Sequence, residues 1–160
     1  MEKVFNINPI GIIRTPYTEP KGMPIQGKFE KGVTGQAELF TEYQAGLKDI
    51  EGFSHLILVY YFDRAEKTEI LSRPFLEDEE HGIFTIRSPH RPNHIGISIV
   101  RLEKVEKNIL TFSEVDMLDG TPLLDIKPYV SHFDSRDGVT NGWLDKHFKS
   151  GDIPRRTRLE

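Results

Sequence analysis

Ile97-Ser98-Ile99-Val100-Arg101-Leu102-Glu103-Lys104-Val105, then Glu106-Lys107-Asn108, then Ile109-Leu110-Thr111-Phe112-Ser113-Glu114-Val115-Asp116-Met117 is the stretch that decides the fold. The first arm alternates in character, the middle residues turn, and the second arm returns. Alternation with period two sends successive side chains to opposite faces of a strand, so the stretch reads as an antiparallel hairpin.

Working outward, His55 to Phe62 is nearly all apolar and rich in β-formers, which predicts a strand buried on both faces. Further strands are predicted at Phe5-Asn6-Ile7 with Ile10 to Ile13, at Gly35 to Phe40, at Gly82 to Arg87, and at Leu123 to Val130 with a break at Pro128. Residues 18–32 hold Pro20, Gly22, Pro24, Gly27 and Gly32, a density that marks a loop. Helical turns are expected at Glu42 to Asp49, weakly at Glu66 to Leu71, and at Asn141 to Lys149. Glu77-Asp78-Glu79-Glu80 reads as a solvated loop. Strands dominate and lie close together in sequence, without regular strand–helix–strand alternation. The fold class is therefore all-β, mainly β with short helices, in a small, mostly antiparallel barrel that leaves few exposed edges.

The 160 residues suit one compact domain, and 37% hydrophobic content is enough for a core. Cysteine is absent, which excludes disulfides, thiolate metal sites and a cysteine nucleophile, and it fits a reducing cytoplasm. No apolar run is long enough to cross a bilayer, and no signal peptide is visible, so a cytoplasmic location without membrane contact is expected. The net charge of −4 means that any RNA contact must rest on local basic patches. Two such patches exist: Arg87, His90, Arg91, His94 and Arg101, then Lys146, Lys149, Arg155, Arg156 and Arg158. Leu159-Glu160 reads as a vector-derived remnant.

The densest polar constellation is Arg87-Ser88-Pro89-His90-Arg91-Pro92-Asn93-His94-Ile95-Gly96, an irregular loop stiffened by two prolines between predicted strands. It offers many donors to a carboxylate or phosphate, or it is a stiff surface loop. His90 and His94 have the spacing of a helical metal pair, but Pro92 opposes a helix and no third ligand lies nearby, so no metal is expected. The second constellation runs from Asp116 to Tyr129. Asp119-Gly120 and Thr121-Pro122 are ordinary turn chemistry, whereas Asp125, Lys127 and Tyr129 alternate along one strand face. They form a structural ion pair, orient a substrate or relay a proton. His55 reads as a structural histidine. No Gly-x-Gly and no Gly-x-Ser-x-Gly occurs, which excludes a dinucleotide fingerprint and a nucleophile elbow.

Four blocks resemble a known family in order and content. They are Ile10 to Tyr17 (IGIIRTPY), Ile50 to Leu56 (IEGFSHL), Gly82 to Asn93 (GIFTIRSPHRPN) and Asp119 to Tyr129 (DGTPLLDIKPY). They are similar to the signature blocks of the TsaA-like family, also called TrmO, YaeB or UPF0066. The resemblance implies residues 1–135 as a TsaA-like β-barrel domain and residues 136–160 as a C-terminal extension. It also implies homodimers, S-adenosylmethionine as cofactor, and methylation at N6 of threonylcarbamoyladenosine at tRNA position 37. Carried onto this chain, cofactor contacts fall on Pro24, Ile25, Gln26, Asp63, Arg64, Arg87, Ile97, Asp116, Met117, Leu118 and Asp119. Asp125 and Tyr129 are the catalytic candidates, and Arg91, Asn93 and Lys127 the candidates for substrate contact. Other acceptors on the same fold, or a non-catalytic S-adenosylmethionine-binding module, are the competing readings.

Overall fold

A computed structural model describes residues 2–148 and 158–159. Eight strands occur in it: β1 Gly11–Arg14, β2 Thr34–Leu39, β3 His55–Tyr61, β4 Leu71–Ser72, β5 His81–Gly82, β6 Ile95–Glu106, β7 Ile109–Ser113 and β8 Thr121–Pro128. Six of them close an antiparallel barrel in the order β1-β2-β7-β6-β3-β8, and β4 pairs with β5 in a separate two-stranded sheet. One short α-helix, Ser131–Asp134, and several 3-10 turns complete the described chain.

The β6–β7 hairpin is as the alternation predicts, with Glu106 opposite Ile109 and Lys107 taking a positive φ of 55° in the turn. On β6 the inward parity is Gly96, Ser98 and Val100, and the outward parity is Ile95, Ile97 and Ile99. The barrel interior is filled by Ile13, Ala37, Leu56, Leu58, Val100, Leu110, Phe112 and Leu123, all essentially inaccessible to water. Burying such side chains is the main force holding a small barrel closed.

Several sequence expectations need correction. Phe5 to Ile7 is not a strand; that segment is exposed, and β1 begins at Gly11. β3 is buried on one face only, because closure leaves its other face on the outside of the barrel. β7 stops at Ser113 instead of reaching Met117, since Glu114 turns to φ 64° and leaves the ladder. Gly82 to Arg87 is not a strand: pairing ends at Gly82, and Ile83–Thr85 is a 3-10 turn whose first N–H bonds the Ile70 carbonyl. Glu66 to Leu71 forms no helix. Residues 77–80 are not simply solvated, because the Glu77 side chain is only 6% exposed. The helical turn expected at 141–149 is the 3-10 helix Gly142–His147. Lys149, Arg155 and Arg156 of the basic tail lie outside the described residues. Arg158 bridges to Pro24, and Leu159 exchanges backbone hydrogen bonds with Gly22 and Met23.

Strand direction alternates around an antiparallel barrel. The end of β1, the start of β2, the end of β7, the start of β6, the end of β3 and the start of β8 therefore share one rim. The segments carrying Thr15, Gln26, Asp63, Arg87 and Asp116 to Asp119 all open onto that rim.

Candidate functional site at the barrel rim

Asp116 is the centre of the rim. Its Oδ1 accepts from Ser98 Oγ at 2.5 Å, and its Oδ2 accepts from the Gly27 N–H at 3.1 Å. Ser98 Oγ also meets Tyr60 Oη at 2.9 Å, inside the barrel. Burial pushes the Asp116 carboxyl above its ordinary value, while Ser98, the Gly27 N–H and the positive charge of Arg87 pull the other way. The Tyr60 phenol is pushed up as well, first by burial and then by the Asp116 charge. A carboxylate held in this way costs free energy unless a cation reaches it.

Gly27 must be glycine. A Cβ there would stand 1.8 Å from the Glu114 carbonyl oxygen. That close approach sets the 24–27 loop against the segment leading to Asp116. Next to it, Arg87 Nη1 donates to Gln26 Oε1 at 3.3 Å. The arginine loop and the aspartate-glycine segment thus meet through Gln26 and Gly27.

The floor of the rim is a hydrogen-bonded bracket. Thr15 N donates to Asp119 Oδ1 at 3.1 Å, and Thr15 Oγ1 to the Met117 carbonyl at 2.8 Å. Asp119 N donates to the Tyr17 carbonyl at 2.7 Å. Thr121 Oγ1 donates to the Leu118 carbonyl at 2.7 Å and accepts from Arg64 Nη2 at 3.2 Å, while Arg64 Nε pairs with Asp63 at 3.4 Å. Gly120, at φ 80°, makes the turn that β8 starts from. Of the cofactor residues expected from sequence, Arg87 bonds Gln26, Asp116 bonds the neighbouring Gly27 N–H, and Asp63, Arg64, Met117, Leu118 and Asp119 join through this bracket. Pro24 is fully buried beneath the loop, beside the half-buried Ile25.

Other expected residues fall elsewhere. Ile97 points away from Ser98, to the outside of β6, where it is 53% exposed. Asp125 pairs with Val59, which in turn pairs with Ile97, so Asp125 shares that outer face. Asp125 Oδ2 binds Lys127 Nζ at 3.0 Å. Tyr129 follows the end of β8, edge-on to His55 at 6.2 Å, at the opposite end of the barrel from the rim. The structure does not bring Asp125, Lys127 and Tyr129 to the rim within one chain: parity gives the shared face of Asp125 and Lys127 correctly, but the strand axis carries them away, and Tyr129 lies beyond the end of β8. Arg91 Nη1 donates to the Ile86 carbonyl at 2.7 Å, which ties the loop to itself. Asn93 sits at φ 63° in the turn that starts β6. His55 is held by Ser54 Oγ at 2.8 Å and faces Glu114 at 3.8 Å, in keeping with a structural reading.

Sequence reasoning missed Ser98, Tyr60, Gly27, Thr15 and Thr121. Ser98 carried a signal, because it is a polar residue on the buried parity of an alternating strand. Gly27 carried none, because its constraint comes from a carbonyl distant in sequence.

Comparison with known proteins agrees with this fold. Residues 12–135 match the family model of the tRNA-methyltransferase O N-terminal domain. A probable S-adenosyl-L-methionine-binding protein of Pyrococcus abyssi is 55% identical over 139 residues, covering 87% of this chain and 76% of that protein. The mouse tRNA (adenine(37)-N6)-methyltransferase is 35% identical over 139 residues, covering 82% of this chain but only 32% of its own length. The crystal structure of TrmO from Pseudomonas aeruginosa superposes with a TM-score of 0.76 at 36% identity, covering 88% of this chain and 63% of the solved chain. No helix among the described residues is long and apolar enough to cross a membrane. With the barrel closed, the rim assembled and most of the chain matched, the protein belongs to the tRNA-methyltransferase O N-terminal domain family.

Proposed function

We propose that this chain is an S-adenosylmethionine-dependent N-methyltransferase whose acceptor is N6 of threonylcarbamoyladenosine at tRNA position 37. The carrying observation is the pairing of unlike charges at one rim, with Arg87 and the half-buried Asp116 joined through Gln26 and Gly27. The donor set fits the cofactor: a guanidinium for its carboxylate, a desolvated carboxylate for its sulfonium, and Asp119 with the Met117 and Leu118 carbonyls for hydroxyl and amino donors. When bound, S-adenosylmethionine supplies an electrophilic methyl group on a sulfonium sulfur. Arg87 binds and orients, Asp116 complements positive charge, and the bracket from Thr15 to Thr121 keeps both in fixed positions, so alignment does much of the catalytic work.

The mouse relative's name, a tRNA (adenine(37)-N6)-methyltransferase, supports adenine 37 of tRNA as the acceptor, and threonylcarbamoylation of that nucleoside is the proposal's own addition. Cytoplasmic work on tRNA follows from the same reading, with residues 1–135 as the catalytic domain and 136–160 as an extension. Arg91, Asn93 and Lys127 are proposed to meet the RNA or its threonyl carboxylate, and the tail at Arg155 and Arg156 to meet phosphate.

A homodimer is part of the proposal. Ile95, Ile97 and Ile99 are 37%, 53% and 48% exposed, and they lie beside Tyr61, Val59 and Ile57 on the outer barrel face. A continuous apolar face of this kind marks an interface. Asp125 and Lys127 border the same face. The roles proposed for Asp125 and Tyr129 in accepting the N6 proton therefore belong to a site completed by a second copy. A second reading keeps the donor and replaces tRNA with a small acceptor; the net charge of −4 favours it.

Transfer of labelled methyl to tRNA with and without threonylcarbamoylation tests the acceptor, and label confined to the modified tRNA is expected. No label in either tRNA removes that acceptor. No affinity for S-adenosylmethionine by calorimetry removes every methyltransferase reading.

A further inference from the structure

A second cluster of chemistry-bearing groups stands where the 77–82 loop meets the 3-10 helix Gly142–His147. At its centre is Glu77, whose side chain is only 6% exposed. Glu77 Oε1 lies 2.5 Å from His81 Nε2, and Glu77 Oε2 lies 3.4 Å from His147 Nε2. Lys146 pairs with the same Oε2. Ligand atoms of Glu77, Glu79 and His81 all lie within 4.8 Å of one another. The His81 ring is fixed by the Trp143 indole, stacked at 4.7 Å with 14° between planes, and Trp143 Nε1 donates to the Thr85 carbonyl at 3.0 Å.

We propose that Glu77, Glu79, His81 and His147 bind one divalent transition-metal ion, which fastens the C-terminal segment to the loop leading to Arg87. Two imidazole nitrogens and two carboxylate oxygens make a four-ligand set once His147, which touches Glu77 but stands outside the Glu77–Glu79–His81 group, turns onto the ion. Zn2+ and Co2+ take such sets, whereas Mg2+ and Ca2+ prefer oxygen alone and more ligands. In the metal-free state one proton lies in the Glu77–His81 hydrogen bond, and the Lys146 ammonium pairs with the other carboxylate oxygen of Glu77. A divalent ion replaces both: the shared proton leaves to solvent, the Lys146 ammonium withdraws, and the nitrogen and oxygen lone pairs turn to the metal. Glu77 and Glu79 come from the loop before β5, His81 from the start of β5 and His147 from the C-terminal turn, so occupancy closes a loop of chain outside the barrel. The site is independent of the rim and of the reading given to it.

The probe is Co2+, titrated into the full chain carrying no polyhistidine tag, with Zn2+ as competitor. The expected result is the intense visible absorption of a four-coordinate Co2+ at one equivalent, lost on adding Zn2+. His81→Ala and His147→Ala should each weaken binding by roughly tenfold or more, since even outer partners of metal ligands are worth that much. His147→Ala lies outside the barrel, so it decides the matter even where His81→Ala fails to fold. A spectrum that stays that of the pale six-coordinate aquo ion overturns the proposal. So does Co2+ binding that is unchanged in His147→Ala.

Discussion

Ser98 Oγ donates to Asp116 Oδ1 at 2.5 Å, joining the inward face of β6 to the segment after β7. This contact keeps a half-buried carboxyl in place at a titration point above its ordinary value of 3.8. The sign follows from burial. Asp116 holds its proton more tightly folded than unfolded, so it favours the folded state at low pH, and that contribution is lost as pH rises through the folded value. A bound cation reverses the balance, because only the ionised carboxylate attracts it. S-adenosylmethionine affinity should therefore rise with pH through the Asp116 titration, and affinity for the neutral product S-adenosylhomocysteine should not. Calorimetry across the acidic range checks both. Parallel curves for the two ligands would remove Asp116 from the sulfonium.

Among the described residues Arg87 makes one side-chain hydrogen bond at the rim, to Gln26, and it is exposed. Arg87→Ala should weaken S-adenosylmethionine binding by roughly 1.5–3 kcal/mol, the worth of a charged hydrogen bond, with little change in melting temperature. Arg87→Lys should recover only part, since a point charge replaces a planar fork. An unchanged dissociation constant in folded Arg87→Ala rejects the carboxylate role.

What the sequence reveals about this molecule follows physical lines. The β6–β7 hairpin is legible because strand alternation is local and Lys107 and Asn108 turn within two residues. The rim is legible only in its parts. Arg87 and Asp116 are polar residues in irregular segments, but barrel closure, a non-local event, is what brings them together. Gly82 to Arg87 has strand-like composition, yet its backbone bonds to Ile70 instead of to a barrel strand. Tyr129 shows the limit of periodicity: parity tells which face a side chain takes and says nothing of which end of the strand meets the ligand. Glu77 reads as one acid in a charged run, and only the fold shows it covered by the C-terminal turn.

Gly27→Ala tests the backbone approach beneath the rim. The new methyl would meet the Glu114 carbonyl, so the loop must move and the bond from Gly27 N–H to Asp116 must lengthen. Overpacking of this kind costs about 1–3 kcal/mol of stability. Urea denaturation should show that loss, and S-adenosylmethionine affinity should fall with it. Gly32→Ala, where a Cβ meets nothing within 4 Å, is the matched control. Equal behaviour of the two variants would mean that the approach is not constraining.

Ile97 and Ile99 test the outer face. Replacing both with Asp puts two charges where Val59 and Ile57 now border an exposed apolar stripe. Charge desolvation opposes association but leaves the outward-facing positions of a monomer unharmed. Sedimentation should show a dimer for the parent chain and a monomer for Ile97→Asp with Ile99→Asp, with equal far-ultraviolet circular dichroism. A parent chain that sediments as a monomer at micromolar concentration refutes the dimer outright.

Trp143 is the sole tryptophan, and its place against His81 makes its fluorescence a report on the C-terminal turn. That turn is held by Glu77, whose carboxyl is drawn down to about 2, first by the Lys146 hydrogen bond and then, against the cost of burial, by His81 and His147. A depressed acid stabilises the folded state above its ordinary value, here 4.5, and the contribution fades as pH falls toward about 2. Acid titration should therefore change the Trp143 emission within that window. In Glu77→Gln the ion pair with Lys146 is gone at every pH, so the turn should be loosened at neutral pH and show no acid step of its own. The barrel has its own core and should keep its circular dichroism while the turn releases. A Trp143 signal that stays flat until the barrel itself unfolds would show that Glu77 does not hold the segment.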